Sequence, residues 1–191
     1  MLIDGKTTYS NHIPILYITL GLITLFIIVL VFTVVATIWA RVPFVPTPKK
    51  TAKVMLDAAE LLGNETVYDL GAGDGRLLIR AKRAYPGITA IGYEIVPVVW
   101  FLGRMRALFS RTGVQMKFGN AFKVNVSDAD CIFLYLITSL MPKLRDKFDR
   151  ELKPGTRVIS HTFSFKGLDP VGTIDVPGLL GGKSKVYVYE W

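Results

Sequence analysis

The 191-residue sequence contains one cysteine, Cys131, and two histidines, His12 and His161. A lone thiol excludes an intrachain disulfide framework, and with two imidazoles for company it leaves no ligand set for a zinc cluster. No metal centre is expected. Acidic residues are also scarce, 15 against 23 Lys and Arg, for a net charge of +8. That balance permits contact with anionic lipid or nucleic acid and selects neither. Between Ile13 and Ala40 charge is missing altogether, over 28 residues dominated by Leu, Ile, Val, Thr and Phe.

As a helix that run would reach roughly 42 Å at about 1.5 Å per residue, enough to cross a hydrocarbon core of about 30 Å. Tyr17 and Trp39 near its ends suit the headgroup level. Lys6 is the only nearby cation on the amino-terminal side, whereas Arg41, Lys49, Lys50 and Lys53 follow the run. The positive-inside rule then predicts a single-pass membrane protein with its carboxy-terminal domain on the cytoplasmic side. A cleaved signal peptide is the alternative, but its apolar stretch should span only about 7–15 residues behind a basic start. Lys6 and Asp4 are the only charged side chains ahead of residue 41, so the whole +8 lies beside the membrane, where it favours an anionic leaflet.

Pro43-Phe44-Val45-Pro46-Thr47-Pro48 forbids a continuous helix and reads as a semi-rigid spacer. Beyond it, helical periodicity over 51–62 carries Val54, Met55, Ala58, Leu61 and Leu62, with Gly63 as the stop. Strands are then predicted at 66–70, 89–93, 114–118, 130–136, 157–163 and 186–189. Helices are predicted over 76–85, over 140–152 and along Val98, Leu102, Met105 and Phe109, which share one face. The nearly all-apolar fourth strand suits the middle of a parallel sheet, and Cys131 in it reads as a core residue. Strand–helix alternation of this kind predicts a doubly wound, mostly parallel α/β sheet with right-handed crossovers.

One segment concentrates chemistry. Asp69-Leu70-Gly71-Ala72-Gly73-Asp74-Gly75-Arg76 lies between a strand and a helix, where glycines let the backbone approach a ligand closely. A dinucleotide fingerprint would need Gly at position 76, which is Arg, and the acidic loop suits a cationic ligand better than a pyrophosphate. Glu94, ending the second strand, can accept two ribose hydroxyl hydrogens.

This segment resembles motif I of class I S-adenosylmethionine-dependent methyltransferases. The resemblance implies a Rossmann-like methyltransferase sheet behind one transmembrane helix, with S-adenosylmethionine as cofactor. It places Asp69, Gly71, Gly73, Asp74, Gly75 and Glu94 around the cofactor, and Asn120 and Ala121 at its adenine. Val67-Tyr68-Asp69-Leu70-Gly71, Gly92-Tyr93-Glu94, the proline segment and Leu152 with Pro154-Gly155-Thr156-Arg157-Val158-Ile159 resemble a narrower family. These are the small lysine methyltransferases related to the enzymes that modify the ATP synthase c-subunit and the adenine nucleotide translocase. That family resemblance folds Thr47 over the cofactor, although the segment read by itself remains a spacer.

After the fourth strand the sequence reads Leu134-Tyr135-Leu136-Ile137, without the Asn/Asp-Pro-Pro-Tyr clamp that resembling enzymes use on weakly basic nitrogens. A lysine amine needs only to lose its proton, at a cost of roughly 4–5 kcal/mol near pH 7, and an apolar pocket lowers that cost. Tyr135 is assigned to line such a pocket, with a core role for its ring as the alternative. His161 tempts as a base, yet inside a strand it reads more simply as structural. The expected layout is a tail over 1–12, a transmembrane helix over 13–40, a linker over 41–50 and an S-adenosylmethionine-binding domain over 51–191. The expected partners are the bilayer and a protein with an accessible lysine at the membrane, with no nucleic acid. Methylation of a lipid or small molecule, and a silent membrane scaffold that kept the fold, are the competing readings.

Overall fold

The computed structural model describes residues 6–40, 45–178 and 182–191, and their side chains except those of residues 6–13, 33 and 36–40. The flanking Arg41 and residues 42–44 of the proline segment lie outside the described residues, as do the side chains of Lys6 and Trp39.

The uncharged run forms one helix, α1 (Lys6–Ala40), which starts ahead of the expected boundary and carries Pro14 inside it. Its stretch Pro14–Phe32 is long and apolar enough to cross a membrane, and none of that stretch is buried. Helix α2 (Lys49–Ala59) begins directly behind Pro48, whose extended backbone ends the proline segment. It stops earlier than Gly63, because Glu60 already turns left-handed at φ +49°. Leu62, expected on the buried face, therefore lies beyond the helix and is exposed.

Seven strands make one sheet in the order β3-β2-β1-β4-β5-β7-β6. They are β1 (Thr66–Leu70), β2 (Thr89–Glu94), β3 (Gln115–Phe118), β4 (Cys131–Leu134), β5 (Arg157–His161), β6 (Gly172–Pro177) and β7 (Lys183–Glu190). The first five are parallel, and β7 runs antiparallel to both β5 and β6. The expected doubly wound sheet is thus present, with β4 at its centre and all four of its residues buried. Strand β6 has no counterpart among the strands expected from the sequence. Its residues are mostly exposed, so no buried face imposes an alternating pattern on them.

Helices α3 (Arg76–Ala84) and α4 (Pro97–Ser110) join α2 on one face of the sheet, while α5 (Met141–Glu151) covers the other. In α5, Met141, Leu144 and Phe148 face inward. Lys147 is buried beside them, its ammonium held by the Val124 carbonyl and by the Glu151 carboxylate at 2.6 Å. Helix α4 departs from expectation. Its large apolar residues do share one side, but Leu102 and Phe109 face outward, and the side against the sheet is made of Val99, Gly103 and Ala107. Periodicity identifies a stripe without saying which way it points.

The chain leaves β1 toward α3 on one face and leaves β4 toward α5 on the other. The order therefore reverses between β1 and β4, and a crevice opens at their carboxyl ends. In register, Leu70 lies between Tyr93 and Leu134.

Candidate active site

That crevice is a cavity of about 300 Å³. Asp69, Gly71, Gly73, Asp74, Glu94, Asn120, Ala121, Tyr135 and Thr47 all line it. Gly75 does not, because it works through backbone shape: at φ +72° it starts α3, and a Cβ there would lie 3.0 Å from the Met116 sulfur. Thr47, with Val45 and Pro46, forms one wall of the cavity. The end of the proline segment therefore lies against the cavity.

The glycine turn is shaped by the neighbouring strand. Gly71 N–H and Ala72 N–H both donate to the Tyr93 carbonyl, at 2.9 and 3.0 Å, with Gly71 at φ +87°. A Cβ on Gly71 would stand 2.8 Å from a methyl of Leu136. Glu94 accepts N–H bonds from Gly73 (3.0 Å) at one oxygen, and from Ile95 and Val96 (2.8 Å each) at the other. The Glu94 carboxylate thus fixes the turn, and the oxygen bonded to Gly73 keeps an acceptor direction for a ligand hydroxyl.

The three carboxylates differ in electrostatics. Asp69 is 6% exposed and has no cationic partner among the described residues. Burial first, and then Glu94 and Asp74, push its pKa up to about 8. Burial also raises that of Glu94, against the N–H groups of Val96, Gly73 and Ile95. Asp74 goes the other way: burial would raise it, but the guanidinium groups of Arg76 and Arg106 hold it below the ordinary carboxylate range. Arg76 grips Asp74 through Nε (2.9 Å) and Nη2 (2.6 Å), and Arg106 reaches the same carboxylate from α4. Nothing in the sequence marks either arginine as a site residue; the one after the last glycine only counts against a dinucleotide fingerprint.

Asn120 turns its side-chain oxygen to the Phe122 N–H at 2.9 Å, leaving its amide nitrogen free to donate into the cavity. At the other end, Tyr135 lies with Leu134, Leu136 and Leu140 in an apolar wall. The Tyr135 ring has the His161 ring 4.1 Å away and the Phe163 ring 6.4 Å away.

His161 is 2% exposed and is not part of the cavity wall. Burial drops its pKa to about 4. It is a neutral ring supporting Tyr135, with Nε2 3.4 Å from the Ser184 hydroxyl. An imidazole held neutral by folding gives stability that is present above its ordinary value of 6.5 and lost as pH falls through about 4. Nitrogen NMR of His161 should therefore show a neutral ring down to about pH 5. A change of protonation near pH 6.5 would show that the ring is hydrated. Cys131 is buried, as expected, and burial pushes its thiol up. Among the described residues no group of His, Cys, Asp and Glu could hold a metal ion.

Comparison with known proteins identifies the family. Residues 69–172 match the family model of the ANTKMT methyltransferase domain. Over 143 residues the chain is 39% identical to a protein-lysine N-methyltransferase of Saccharolobus islandicus, covering 71% of this chain and 86% of the relative. It is 30% identical over 155 residues to the ATP synthase c-subunit lysine N-methyltransferase of Rattus norvegicus, covering 78% and 69%. Among solved structures, an RNA methyltransferase from Salinibacter ruber in complex with S-adenosyl-L-homocysteine superposes with a TM-score of 0.71. Identity there is 36%, over 76% of this chain and 93% of that one.

The residues present fit S-adenosylmethionine. The Gly71 turn leaves room that a side chain would fill, Asp69 offers an unpaired buried carboxyl to a cationic ligand, and Glu94 and Asn120 keep acceptor and donor capacity for ribose and base. The chain belongs to the ANTKMT family of S-adenosylmethionine-dependent protein-lysine methyltransferases and is itself an S-adenosylmethionine-dependent methyltransferase.

Proposed function

We propose that this enzyme is anchored in a membrane by α1 and methylates the ε-amine of a lysine on a membrane or membrane-proximal protein. Its catalytic domain, residues 51–191 with the Thr47 wall added, would stand on the side that receives the positive flank. The cofactor is held by Asp69, Gly71, Gly73, Asp74, Gly75, Glu94, Asn120 and Ala121, and Tyr135 lines the acceptor channel.

One observation carries the choice of acceptor: the apolar Tyr135-Leu136-Leu140 wall beside the glycine turn, with no Pro-Pro-Tyr clamp after β4. S-adenosylmethionine, held by these residues, would supply an electrophilic methyl group for an amine lone pair, with sulfur as the leaving group. The chain's residues have two tasks in that step. An apolar wall raises the cost of an ammonium and so releases the lysine proton before attack. Confinement between Tyr135 and the glycine turn would hold the amine facing the methyl group, which would supply much of the rate. The uncharged, unburied Pro14–Phe32 stretch supports the anchor, and a tether raises the effective concentration of acceptors at the bilayer.

The test is transfer of labelled methyl from S-adenosylmethionine by the full-length protein to membranes, soluble protein, total RNA and lipid extract, beside Asp69→Ala. The expected result is label on lysine of a membrane protein, located by mass spectrometry and absent with the variant. Equal labelling of soluble proteins would sink the membrane substrate. Label entering organic solvent would favour a lipid acceptor, and label on RNA would favour the acceptor class named for the Salinibacter ruber protein.

A further inference from the structure

Helix α4 is built inside out. Gly103 and Ala107 face the protein, while Phe101, Leu102, Leu108 and Phe109 point outward and are 53%, 56%, 65% and 79% exposed. At about 100° per residue these four, with Val98 and Met105, form one continuous apolar stripe about 120° wide. Arg104 and Arg106 fall on its two edges. A stripe of large apolar side chains with cations along both borders is the pattern of a helix lying in a membrane interface.

A second feature adjoins it. Between α3 and α4 a cleft is lined by Arg76, Arg80, Arg83 and Arg106, with Phe109 on its rim and no carboxylate in its lining. Asp74 occupies Arg76 and Arg106 in part. Arg83 is exposed and has no acidic partner among the described residues. Arg80 reaches the Lys49 carbonyl (3.2 Å), which places the basic start of α2 beside the cleft. Helix α1 also meets α4.

We infer that the α3–α4 face docks on an anionic bilayer. The α4 stripe enters the acyl boundary and the arginine cleft receives phospholipid headgroups. This rests on the proposed reading of α1 as a membrane span, and it adds a second attachment that fixes the domain's orientation. Charge complementarity selects the occupant: arginines bordering an apolar stripe suit phosphates above acyl chains. A bare apolar face would suit a second copy of the chain equally well.

Full-length protein reconstituted in vesicles tests this. Single cysteines replace Phe109, Leu102, the exposed Leu62 beyond α2's far end, and Phe26 in α1, and each carries a polarity-sensitive fluorophore. Buried Cys131 stays unlabelled. Lipid-borne and aqueous quenchers are compared in phosphatidylcholine and in an equal mixture with phosphatidylglycerol. In the mixture, the lipid quencher is expected to dim positions 109 and 102 several-fold more than position 62. Removing phosphatidylglycerol, or the pair Arg80→Gln and Arg83→Gln, should weaken that difference at least twofold.

Aqueous quenching at 109 with lipid quenching at 26 would overturn the docking and leave the anchor standing. Aqueous quenching at both would overturn both, whereas lipid quenching at 109 alone would uphold docking without a span. Protection at 109 that follows protein density in the vesicle, or that appears only when RNA is added, would assign the face to a second copy or to nucleic acid and overturn the inference.

Discussion

Asp69→Asn is expected to weaken S-adenosylmethionine binding by roughly thirtyfold, about 2 kcal/mol for the loss of a charge-assisted contact. In the free protein the Asp69 carboxyl, with its pKa pushed up to about 8, is mostly neutral at pH 7. A cationic ligand beside it favours the ionised form, so binding releases a proton and affinity rises with pH until about 8. Calorimetry in buffers of different ionisation heat measures that proton directly. The wild type should release a large fraction of one proton at pH 7, and Asp69→Asn should release none. An unchanged count in the variant would place the titration on Glu94, which burial also raises.

Stability should move the opposite way. A carboxyl whose pKa is raised by folding contributes stability that is fully present below its ordinary value of 3.8 and lost as pH rises through about 8. Removing that charge should raise the melting temperature of the ligand-free protein above about pH 8. A variant that binds more weakly yet melts higher would show that Asp69 is kept for the ligand rather than for the fold.

The second large effect is expected at Gly103. Helix propensity alone says that Gly103→Ala should stabilise α4 by about 1 kcal/mol. In the structure a Cβ there would stand 2.8 Å from the Gly73 carbonyl oxygen and 2.8 Å from the Met116 terminal methyl. Met116 can yield, but the Gly73 carbonyl belongs to the turn that Glu94 holds. Helix α4 must then back away, which strains the Arg106–Asp74 ion pair as well. A cost of about 2 kcal/mol is expected from overpacking, visible as a lower melting temperature. S-adenosylmethionine affinity should fall with it, since the displaced backbone forms the cavity wall. A stabilised variant with normal affinity would show that α4 is free to slide over the turn.

Gly103 also marks where the sequence stops being informative. The strands β1, β2, β4 and β5 are legible because apolar runs bounded by turn residues have few alternatives, and the acidic glycine turn between β1 and α3 has a narrow set of uses. A glycine inside a helical pattern says only that something comes close, not what. The direction of α4 is hidden for a related reason: its stripe has the right period for a core helix, and only the seating of Gly103 on Gly73 turns it outward. Strand β6 is hidden because it is held by pairing with β7 rather than by burial. In the site, Asp69 and Glu94 can be named from the motif that the segment resembles. The grip of Arg106 on Asp74 joins residues 32 positions apart and needs the fold.

The short connection between α1 and the cavity sets a length scale. Val45 lines the cavity and Ala40 ends the helix, and a chain of five residues reaches at most about 18 Å. On the proposed readings of α1 and of the acceptor, the enzyme would act as a ruler, selecting lysines by height above the bilayer before it reads anything around them. Where the α3–α4 face is not seated on the bilayer, lengthening the connection would move the favoured lysine outward, with the same pocket and the same chemistry.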